Sequence, residues 1–529
     1  MVIEEPEKGE QSPAGLSART ATWLLFATVL VIATAGIVYE LVAGAIASYV
    51  LGDSVTQFSL VIGVYLSALG VGSYLSKFID EKLERAFVEI EFATALVGGL
   101  SAPILFLSFA YTRAFPIILY GTVGLVGTLV GLELPLLIRL LKQRIELKDL
   151  LARALSFDYL GALIGSLLFS LVLVPRLGLV RTSLLFGLLN ALVGIASTYF
   201  IFSEPGGPRS SSGTGLRGAR IRGAFVAAIL VVCFVQADRV TTLSEEEIYA
   251  DEVIFAKQSA YQRIVVTHSS SSYQLFLNGN LQFSSGDEYR YHEALVHPPF
   301  AAAASHRRVL VLGGGDGLAA REILKYPDVE SITLVDIDPD MTKTSDKMPV
   351  LRSLNEGSLH DPKMHIVHED AMVWIADPSR RDVQFDVIII DFPDPNNYAL
   401  GKLYTTRFYS LVREKLADGG ALTVQATSPL FARSAFWCIA RTMEAAHLAT
   451  RPYHVAVPSF GEWGYVLAKK EAFEPPIDAH VSPLRFLDAK AMQALFIFSK
   501  DMSEPPVEVN RLNNQMLVQY YEREWKKWN

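Results

Sequence analysis

The sequence has few cysteines, no excess of positive charge and no leader-like start. Its 529 residues include two cysteines, Cys233 and Cys438, too few for a disulfide framework or a zinc cluster. The net charge is −8 at pH 7, and an acidic chain lacks the basic face that nucleic acid requires. The first twenty residues are mostly polar and acidic, so no cleavable signal is expected. These absences argue against disulfide-stapled, zinc-cluster and nucleic-acid-binding proteins.

Apolar residues, by contrast, make up 51% of the chain and are concentrated before residue 240. A bilayer-spanning helix needs roughly 20 mostly apolar residues. Seven runs approach this length: Ala21 to about Ala47, Phe58 to Leu75, Phe87 to Phe109, Ile117 to Ile138, Leu155 to Val174, Ser183 to Phe202, and Gly223 to Gln236, which is the shortest. The sequence therefore predicts a polar tail over residues 1–20. It predicts a transmembrane helical domain of about seven spans over residues 21–240, in a multi-pass protein of the cell membrane.

Two sequence features give opposite predictions for the membrane side of the C-terminal half. Lysine and arginine cluster between the apolar runs, around Lys82, Arg144 and Arg217, and such segments are usually cytoplasmic. Seven full spans would then place the C-terminal half outside the cytoplasm. The C-terminal half is expected to use a nucleoside that is found in the cytoplasm, and this expectation favours the cytoplasmic side. The charge pattern and the chemistry thus disagree.

Three acids lie within or at the ends of the apolar runs: Glu40, Glu133 and Asp158. Charged side chains are costly in a bilayer and often have a function there. Either these acids line a path for a cationic amine, or they lie near the interface and tie helices together through hydrogen bonds. No metal or transport motif accompanies them.

The C-terminal half contains the pattern of a nucleoside-binding sheet. Arg307–Leu312 is a short apolar run typical of a buried strand, and a glycine-rich turn and a helical segment follow it. Strand, glycine-rich turn and helix form the first unit of a doubly wound, Rossmann-like sheet. Gly313 and Gly315 let the backbone approach a ligand closely. A glycine-rich turn alone is weak evidence, so the strands that follow decide the interpretation.

Four successive predicted strands end in acids. These are Asp316 after the first strand, Asp336 after the second, Asp370 after the third, and Asp391 with Asp394 after the fourth. In such sheets the ligand binds in the crevice at the carboxyl ends of the strands. Asp336 is placed to accept hydrogen bonds from ribose hydroxyls. Aspartate is common in turns, but the recurrence at every strand end favours a binding site.

A smaller β-region is predicted just upstream, where Tyr261–His268 and Tyr273–Leu281 read as strands and Asn278-Gly279 as a hairpin turn. We expect a β-strand subdomain over residues 241–300 and a Rossmann-like domain over residues 301–529. His292 and His297 could suggest a metal site. Their spacing and the lack of a third ligand argue against one.

At this point the chain resembles the spermidine synthase (polyamine aminopropyltransferase) family, and the preceding helices resemble its membrane-bound branch. The resemblance runs from about Ser259 to Lys469. Each matching segment is common alone, but the ordered set is specific. In order the segments are Tyr261–Ile264, Leu277–Gln282, Asp287–Glu293, Gly313–Gly317 with Arg321-Glu322, and Asp391–Pro395.

The resemblance implies transfer of the aminopropyl group of decarboxylated S-adenosylmethionine to a diamine, with putrescine as first choice. The products would be spermidine and methylthioadenosine, without a metal or prosthetic group and with a homodimer as the expected assembly. The cosubstrate would be bound by Gln262, Gly313, Gly315, Asp336, Asp370 and Ala371. The amines would be bound by Tyr291, His292, Asp316 and Asp394, and Asp391 would be the catalytic base.

The chain also departs from the family pattern. Phe392-Pro393 replaces a small polar pair between the two acids, and Phe460 stands where a tyrosine is common. These changes put the acceptor in doubt more than the nucleoside. Two other functions remain open: an S-adenosylmethionine-dependent methyltransferase, and a membrane transporter or sensor whose soluble half only binds polyamine. The residue that argues against a methyltransferase is Asp316, because a carboxylate there suits an amine but not an amino-acid carboxylate.

Overall fold

The chain folds into two compact units, residues 1–250 and residues 251–529. In the computed structural model, the residues that can be described are 18–51, 54–112, 114–142, 146–200, 213–237, 239, 249 and 251–528. The predicted N-terminal tail lies almost wholly outside them. We call the first the helical unit and the second, which contains the predicted catalytic residue, the catalytic unit.

The helical unit is built from long apolar helices. They are α1 (Ala18–Leu51), α2 (Ser54–Leu75), α3 (Leu83–Tyr111), α4 (Phe115–Leu141), α5 (Leu147–Leu168), α6 (Val174–Phe200) and α7 (Gly213–Val235). Glycines allow several of them to pack closely. A Cβ atom at Gly187 of α6 would lie 2.7 Å from the backbone oxygen of Ala95 in α3, so only glycine permits this helix contact.

Six described helical stretches are long and apolar enough to cross a membrane by length and composition: Phe26–Ser48, Thr56–Phe78, Leu83–Tyr111, Phe115–Leu141, Leu147–Tyr199 and Arg217–Val235. The fifth has 53 residues. At 1.5 Å per residue it would be about 80 Å long, well beyond a hydrocarbon core of about 30 Å. Gly178, with φ 72° and ψ 178°, interrupts it. The interruption lies inside α6, between two of the seven predicted runs, Leu155 to Val174 and Ser183 to Phe202, whereas a π-helical turn over Phe169–Leu173 joins α5 to α6.

The catalytic unit begins with a four-stranded antiparallel sheet in the order β1-β2-β3-β4. Its strands are β1 (Glu252–Gln258), β2 (Arg263–His268), β3 (Tyr273–Leu277) and β4 (Asn280–Ser284). Asn278 and Gly279 have φ of 50° and 80°, as the predicted hairpin turn requires. The sequence interpretation missed β1, although Glu252–Gln258 alternates between exposed and partly buried positions.

A seven-stranded mixed sheet follows, in the order β10-β11-β9-β8-β5-β6-β7. Its strands are β5 (Arg308–Gly313), β6 (Ser331–Asp336), β7 (Met364–His368), β8 (Phe385–Asp391), β9 (Leu416–Gln425), β10 (Ala449–Val457) and β11 (Gly461–Lys469). Strands β5 to β9 pair in parallel, and β10 and β11 are antiparallel. The predicted Rossmann-like sheet is therefore present, extended at one edge by an antiparallel hairpin.

Helices cover both faces of this sheet. They are α8 (Glu288–Ala302), α9 (Leu318–Ile323), α10 (Pro339–Lys347), α11 (Pro349–Leu354), α12 (Ala371–Ala376), α13 (Tyr398–Gly401), α14 (Thr406–Lys415), α15 (Arg433–Ala445), α16 (Ala489–Leu495) and α17 (Met516–Trp525). The central strands are buried on both faces, as parallel strands between helix layers must be. This arrangement leaves the carboxyl ends of the strands as the open edge.

Candidate active site

The ends of β5 and β8 lie side by side and bring the glycine-rich turn against the predicted catalytic acid. Gly313 is opposite Asp391 in the parallel register, and the N–H of Gly314 donates to the Asp391 backbone oxygen at 3.2 Å. A Cβ atom at Gly313 would lie 2.2 Å from that oxygen, and one at Gly314 would lie 3.5 Å from Asp391 Oδ2. The carboxylate of Asp391 therefore borders the turn where a nucleoside would bind.

The rest of the turn contacts the acid at the end of β6. The N–H of Gly315 donates to Asp336 Oδ2 at 3.1 Å, and the N–H of Asp338 donates to Asp336 Oδ1 at 2.8 Å. Burial raises the pKa of Asp336 to about 6. The side-chain amide of Gln262 donates to Asp338 Oδ2 at 3.0 Å. This bond links the four-stranded sheet to the segment that follows Asp336. Gln262, Gly315 and Asp336 thus form one edge of the site.

The side chain of Asp391 accepts a hydrogen bond from a buried tyrosine. The Tyr291 hydroxyl donates to Asp391 Oδ1 at 2.7 Å, and Tyr291 is buried in α8. Burial and the charge of Asp316 raise the pKa of Asp391 to about 6, against the opposing effects of His292 and Tyr291. A carboxylate with this pKa is ionised at neutral pH and can accept a proton from an incoming group.

A buried network of charged side chains lies close to Asp316 and Asp391. His292 Nδ1 lies 2.9 Å from Glu288 Oε2, and both Glu288 oxygens accept hydrogen bonds from Arg321 at 2.9 Å. Burial lowers the pKa of His292, but Glu288, Asp316 and Asp391 outweigh it and raise this pKa to about 8. A protonated His292 repels an ammonium group. Its predicted role in amine binding therefore stays a prediction, whereas its contact with Glu288 is observed.

Asp316 follows the glycine turn and lies within electrostatic range of Asp391 and His292. One of its oxygens accepts a hydrogen bond from the Leu318 N–H at 2.8 Å. Burial raises the pKa of Asp316, and the charge of His292 opposes this shift. Among the described residues nothing donates to its Oδ2, and a cationic group would suit that oxygen.

Asp394 is fixed from three directions by the protein. Gln425 donates to one oxygen at 3.4 Å, Thr427 donates to the other at 3.1 Å, and Tyr521 of α17 also forms a hydrogen bond with it. Burial raises the pKa of Asp394 to about 6. The ring of Phe460 lies 6.0 Å from that of Tyr291, where it supplies an apolar surface but no hydrogen bond.

Asp370 begins α12 and is already partly engaged. Its Oδ1 accepts hydrogen bonds from the N–H groups of Met372 and Val373, and its Oδ2 lies 2.6 Å from Lys402 Nζ. Although burial opposes it, Lys402 lowers the pKa of Asp370. Ala371, the next residue, is buried. Both residues lie beyond β7, on the same edge of the sheet as the other acids.

The structure thus places all the predicted site residues along the carboxyl edge or next to it. Sequence reasoning assigned no role to Glu288 or Arg321, although both fall within matching segments. It also missed Tyr521, which comes from the last helix and has no local signal. Within the described part of the chain, no group of three or more His, Cys, Asp or Glu side chains could hold a metal ion.

Comparison with known proteins gives a consistent set of relatives. Residues 288–478 match the family model described as the spermine/spermidine synthase domain. The chain is 48% identical over 503 residues to the polyamine aminopropyltransferase of Leptospira interrogans, covering 95% of this chain and 99% of that protein. It is 48% identical to polyamine aminopropyltransferase 1 of Ralstonia nicotianae and 37% identical to the polyamine aminopropyltransferase of Mycobacterium tuberculosis. Both matches cover 98–99% of each chain.

Two solved structures are similar over about half of this chain. A spermidine synthase in complex with the transition-state analogue AdoDATO is 28% identical and has a TM-score of 0.44, covering 47% of this chain and 88% of that one. The spermidine synthase of Thermotoga maritima is 27% identical with a TM-score of 0.42, covering 47% and 87%.

Proposed function

Because the chain belongs to the spermine/spermidine synthase family of polyamine aminopropyltransferases, we propose that its catalytic unit makes spermidine from putrescine. The donor is decarboxylated S-adenosylmethionine. The observation that carries this proposal is the position of the Asp391 carboxylate beside the glycine turn, with Asp394 on the same short segment.

In the proposed reaction a neutral amine nitrogen attacks the aminopropyl carbon next to the sulfonium. A C–N bond forms, the C–S bond breaks, and its electron pair stays on sulfur in methylthioadenosine. Asp391 accepts the proton that the amine must lose. The enzyme contributes positioning and base catalysis, since the sulfonium already activates the carbon.

The two ends of the diamine have different partners in this proposal. Asp391 takes the reacting amine, and Asp394 binds the distant ammonium group. Gln425, Thr427 and Tyr521 hold Asp394 in place, and the apolar ring of Phe460 faces the methylene chain. In this proposal the separation of the two carboxylates sets the length of the diamine that fits.

The test is mass spectrometry of the products formed by the purified full-length protein. Decarboxylated S-adenosylmethionine is supplied with putrescine, cadaverine or spermidine in separate reactions. We expect spermidine and methylthioadenosine, formed fastest from putrescine. A methylated amine made from intact S-adenosylmethionine would instead identify a methyltransferase, and faster turnover of a longer amine would overturn the choice of acceptor.

We propose that Asp316 selects the decarboxylated cosubstrate over intact S-adenosylmethionine. Its free oxygen binds the amine of the decarboxylated cosubstrate and repels the carboxylate of intact S-adenosylmethionine. Calorimetry should therefore show tighter binding of the decarboxylated form, and Asp316→Asn should lose most of this preference. Equal affinities in the unmodified protein would contradict the assignment.

We further propose that the helical unit spans the cell membrane, with the catalytic unit in the cytoplasm. The apolar stretches support the first part, and the cytoplasmic nucleoside supports the second. A reporter that is active only outside the cytoplasm, fused after Asn529, should stay inactive. An active fusion would place the catalytic unit on the other side, as the positive-inside rule predicts for seven spans.

A further inference from the structure

Two fully buried acids lie in the core of the helical unit without the partners that such groups require. Glu91 in α3 and Glu133 in α4 are both 0% exposed. Both oxygens of Glu91 and one oxygen of Glu133 have no hydrogen-bond partner among the described residues. The other Glu133 oxygen accepts a hydrogen bond from Thr94 at 2.6 Å. Buried polar atoms without partners are rare in folded proteins, and a missing ligand is one cause.

The two acids lie close together. Thr94 contacts Glu133 and is three residues from Glu91 on α3, so both acids border the same face of that helix. The charge of Glu133 acts on Glu91. Two ionised carboxylates in apolar surroundings repel each other and lose their hydration. The pair must therefore either hold protons or bind a cation.

An uncharged residue of α6, Asn190, lies on the helix face that packs against α3 near Glu91. Asn190 is 0% exposed, and neither its amide nitrogen nor its oxygen has a partner in the described residues. Gly194, one turn further along α6, lies against Glu91, since a Cβ atom there would be 3.1 Å from the Glu91 Cβ. Gly187, one turn before, abuts α3 at Ala95. Asn190 lies on the same stripe of α6, and it is evidence for a ligand that is independent of the acids.

Tyr39 of α1 links these groups to a cavity. Its hydroxyl is buried and has no hydrogen-bond partner in the described chain, and the charges of Glu91 and Glu133 act on it. The same ring lies against Gly98 of α3. Tyr39 and the next residue, Glu40, line a cavity of about 10 Å³ with residues of α2, α3 and α4, which is room for about one water molecule.

We propose that the helical unit binds an aliphatic polyamine inside its core. One primary ammonium group lies between Glu91, Glu133 and Asn190, with the Tyr39 hydroxyl nearby. An ammonium group has three N–H donors and no acceptor, which matches the surplus of acceptor oxygens. The choice of an amine over another cation rests on the proposed function, because the catalytic unit uses and makes such amines.

The experiment is equilibrium binding of radiolabelled spermidine and putrescine to the full-length protein in lipid nanodiscs. The catalytic site also binds amines, so sites are counted in unmodified protein, in Asp394→Asn, and in Glu91→Gln with Glu133→Gln. We expect the glutamine variant to lose one class of site, with affinity at least about tenfold weaker, as for a lost charged hydrogen bond. Asp394→Asn should weaken the other class.

Glu84→Gln, in the first turn of α3, is the matched control and should leave binding unchanged. Asn190→Leu is the second test variant, because it removes a ligand without touching the acids, and it should also weaken the helical site. Aminopropyl transfer measured on the same samples should be unaffected by all helical-unit variants. This readout separates failure of the proposed reaction from failure of the helical site.

The relative affinities of putrescine and spermidine identify which amine occupies the core. Identical binding in the glutamine variant and in unmodified protein would overturn the proposal. So would a site that takes sodium but neither amine, measured by replacing sodium with choline. In both cases the two glutamates would hold protons or a metal cation instead.

Discussion

The two units of this chain treat their buried glutamates differently. In the catalytic unit, Glu288 receives two hydrogen bonds from Arg321 and one contact from His292. Glu293 accepts hydrogen bonds from three successive backbone N–H groups, beginning at Arg485. In the helical unit, Glu91 receives none from the described residues.

This difference separates two uses of a buried charge. A carboxylate surrounded by its own donors is fixed, and it can hold a neighbouring helix or tune a neighbouring group. A carboxylate without donors is costly unless something outside the chain supplies them. The catalytic unit therefore has a preorganised site, whereas the helical unit has a site that its ligand would complete.

Removing the base should have the largest effect. Asp391→Asn keeps the shape of the side chain but cannot accept the proton, so turnover should fall by about 10²–10⁴-fold. Cosubstrate affinity should remain nearly unchanged, and high pH should partly restore turnover because more amine is already neutral. The measurement is steady-state kinetics with calorimetry, and Asp382→Asn, an exposed acid before β8, is the control. Near-normal turnover at neutral pH would remove Asp391 as the base.

The difference between the buried glutamates of the two units should appear in the stability of protein variants. Glu288→Gln removes one of the two acids that pair with buried Arg321 and leaves Glu322 in place, so the loss of charged hydrogen bonds should cost about 1.5–3 kcal/mol. Glu91→Gln should cost far less in the absence of amine, because it replaces a buried acid that has no partner to lose. Chemical denaturation of each variant, followed in the unit concerned, measures both. Equal losses would show that the two glutamates are equally well satisfied.

The acid limb of the pH profile should follow the acids of the catalytic unit. The base must be ionised to work, and the pKa values of Asp391 and Asp394 are both raised to about 6. Activity should thus be level above about pH 7, fall to about half near pH 6, and then approach a tenfold fall for each further unit. In Asp394→Asn the limb should persist, whereas in Asp391→Asn it should shrink. A limb near pH 4 would mean that the carboxylates are better hydrated than the structure indicates.

The smallest effect should come from the last helix. Tyr521→Phe removes one hydrogen bond to Asp394, typically worth about 0.5–1.5 kcal/mol, so the KM for the diamine should rise by roughly two- to tenfold. The kcat should change little. Tyr520→Phe is the matched control, since its hydroxyl bonds the Glu508 N–H instead. A change in kcat rather than KM would place Tyr521 closer to the reacting atoms.

The sequence predicts those parts of the structure that depend on local pattern. The glycine turn, the acids after β5, β6 and β8, and the Asn278-Gly279 hairpin all follow from adjacent residues. The mixed edge of the sheet and the contact of Tyr521 with Asp394 do not, because they bring together distant segments.

Glu91 shows the same limit in the helical unit. It lies within the apolar run Phe87 to Phe109, and sequence reasoning passed over it while noting Glu40, Glu133 and Asp158. Glu89 and Glu91 both lie in this run, so the sequence alone does not single out Glu91. Its importance becomes clear only when Thr94 and Asn190 are seen beside it, and helix packing decides that.

The close approach of Gly313 to Asp391 constrains how this protein can evolve. The backbone oxygen of Asp391 occupies the space that any side chain at residue 313 would need, so substitution there would push the strand end that carries the base. The glycine at residue 313 and the backbone position of residue 391 are therefore constrained together. A lineage that abandons aminopropyl transfer can exchange Asp391 for another side chain without altering this contact. Gly313 should consequently outlast the activity and mark descendants that retain the fold but have lost the reaction.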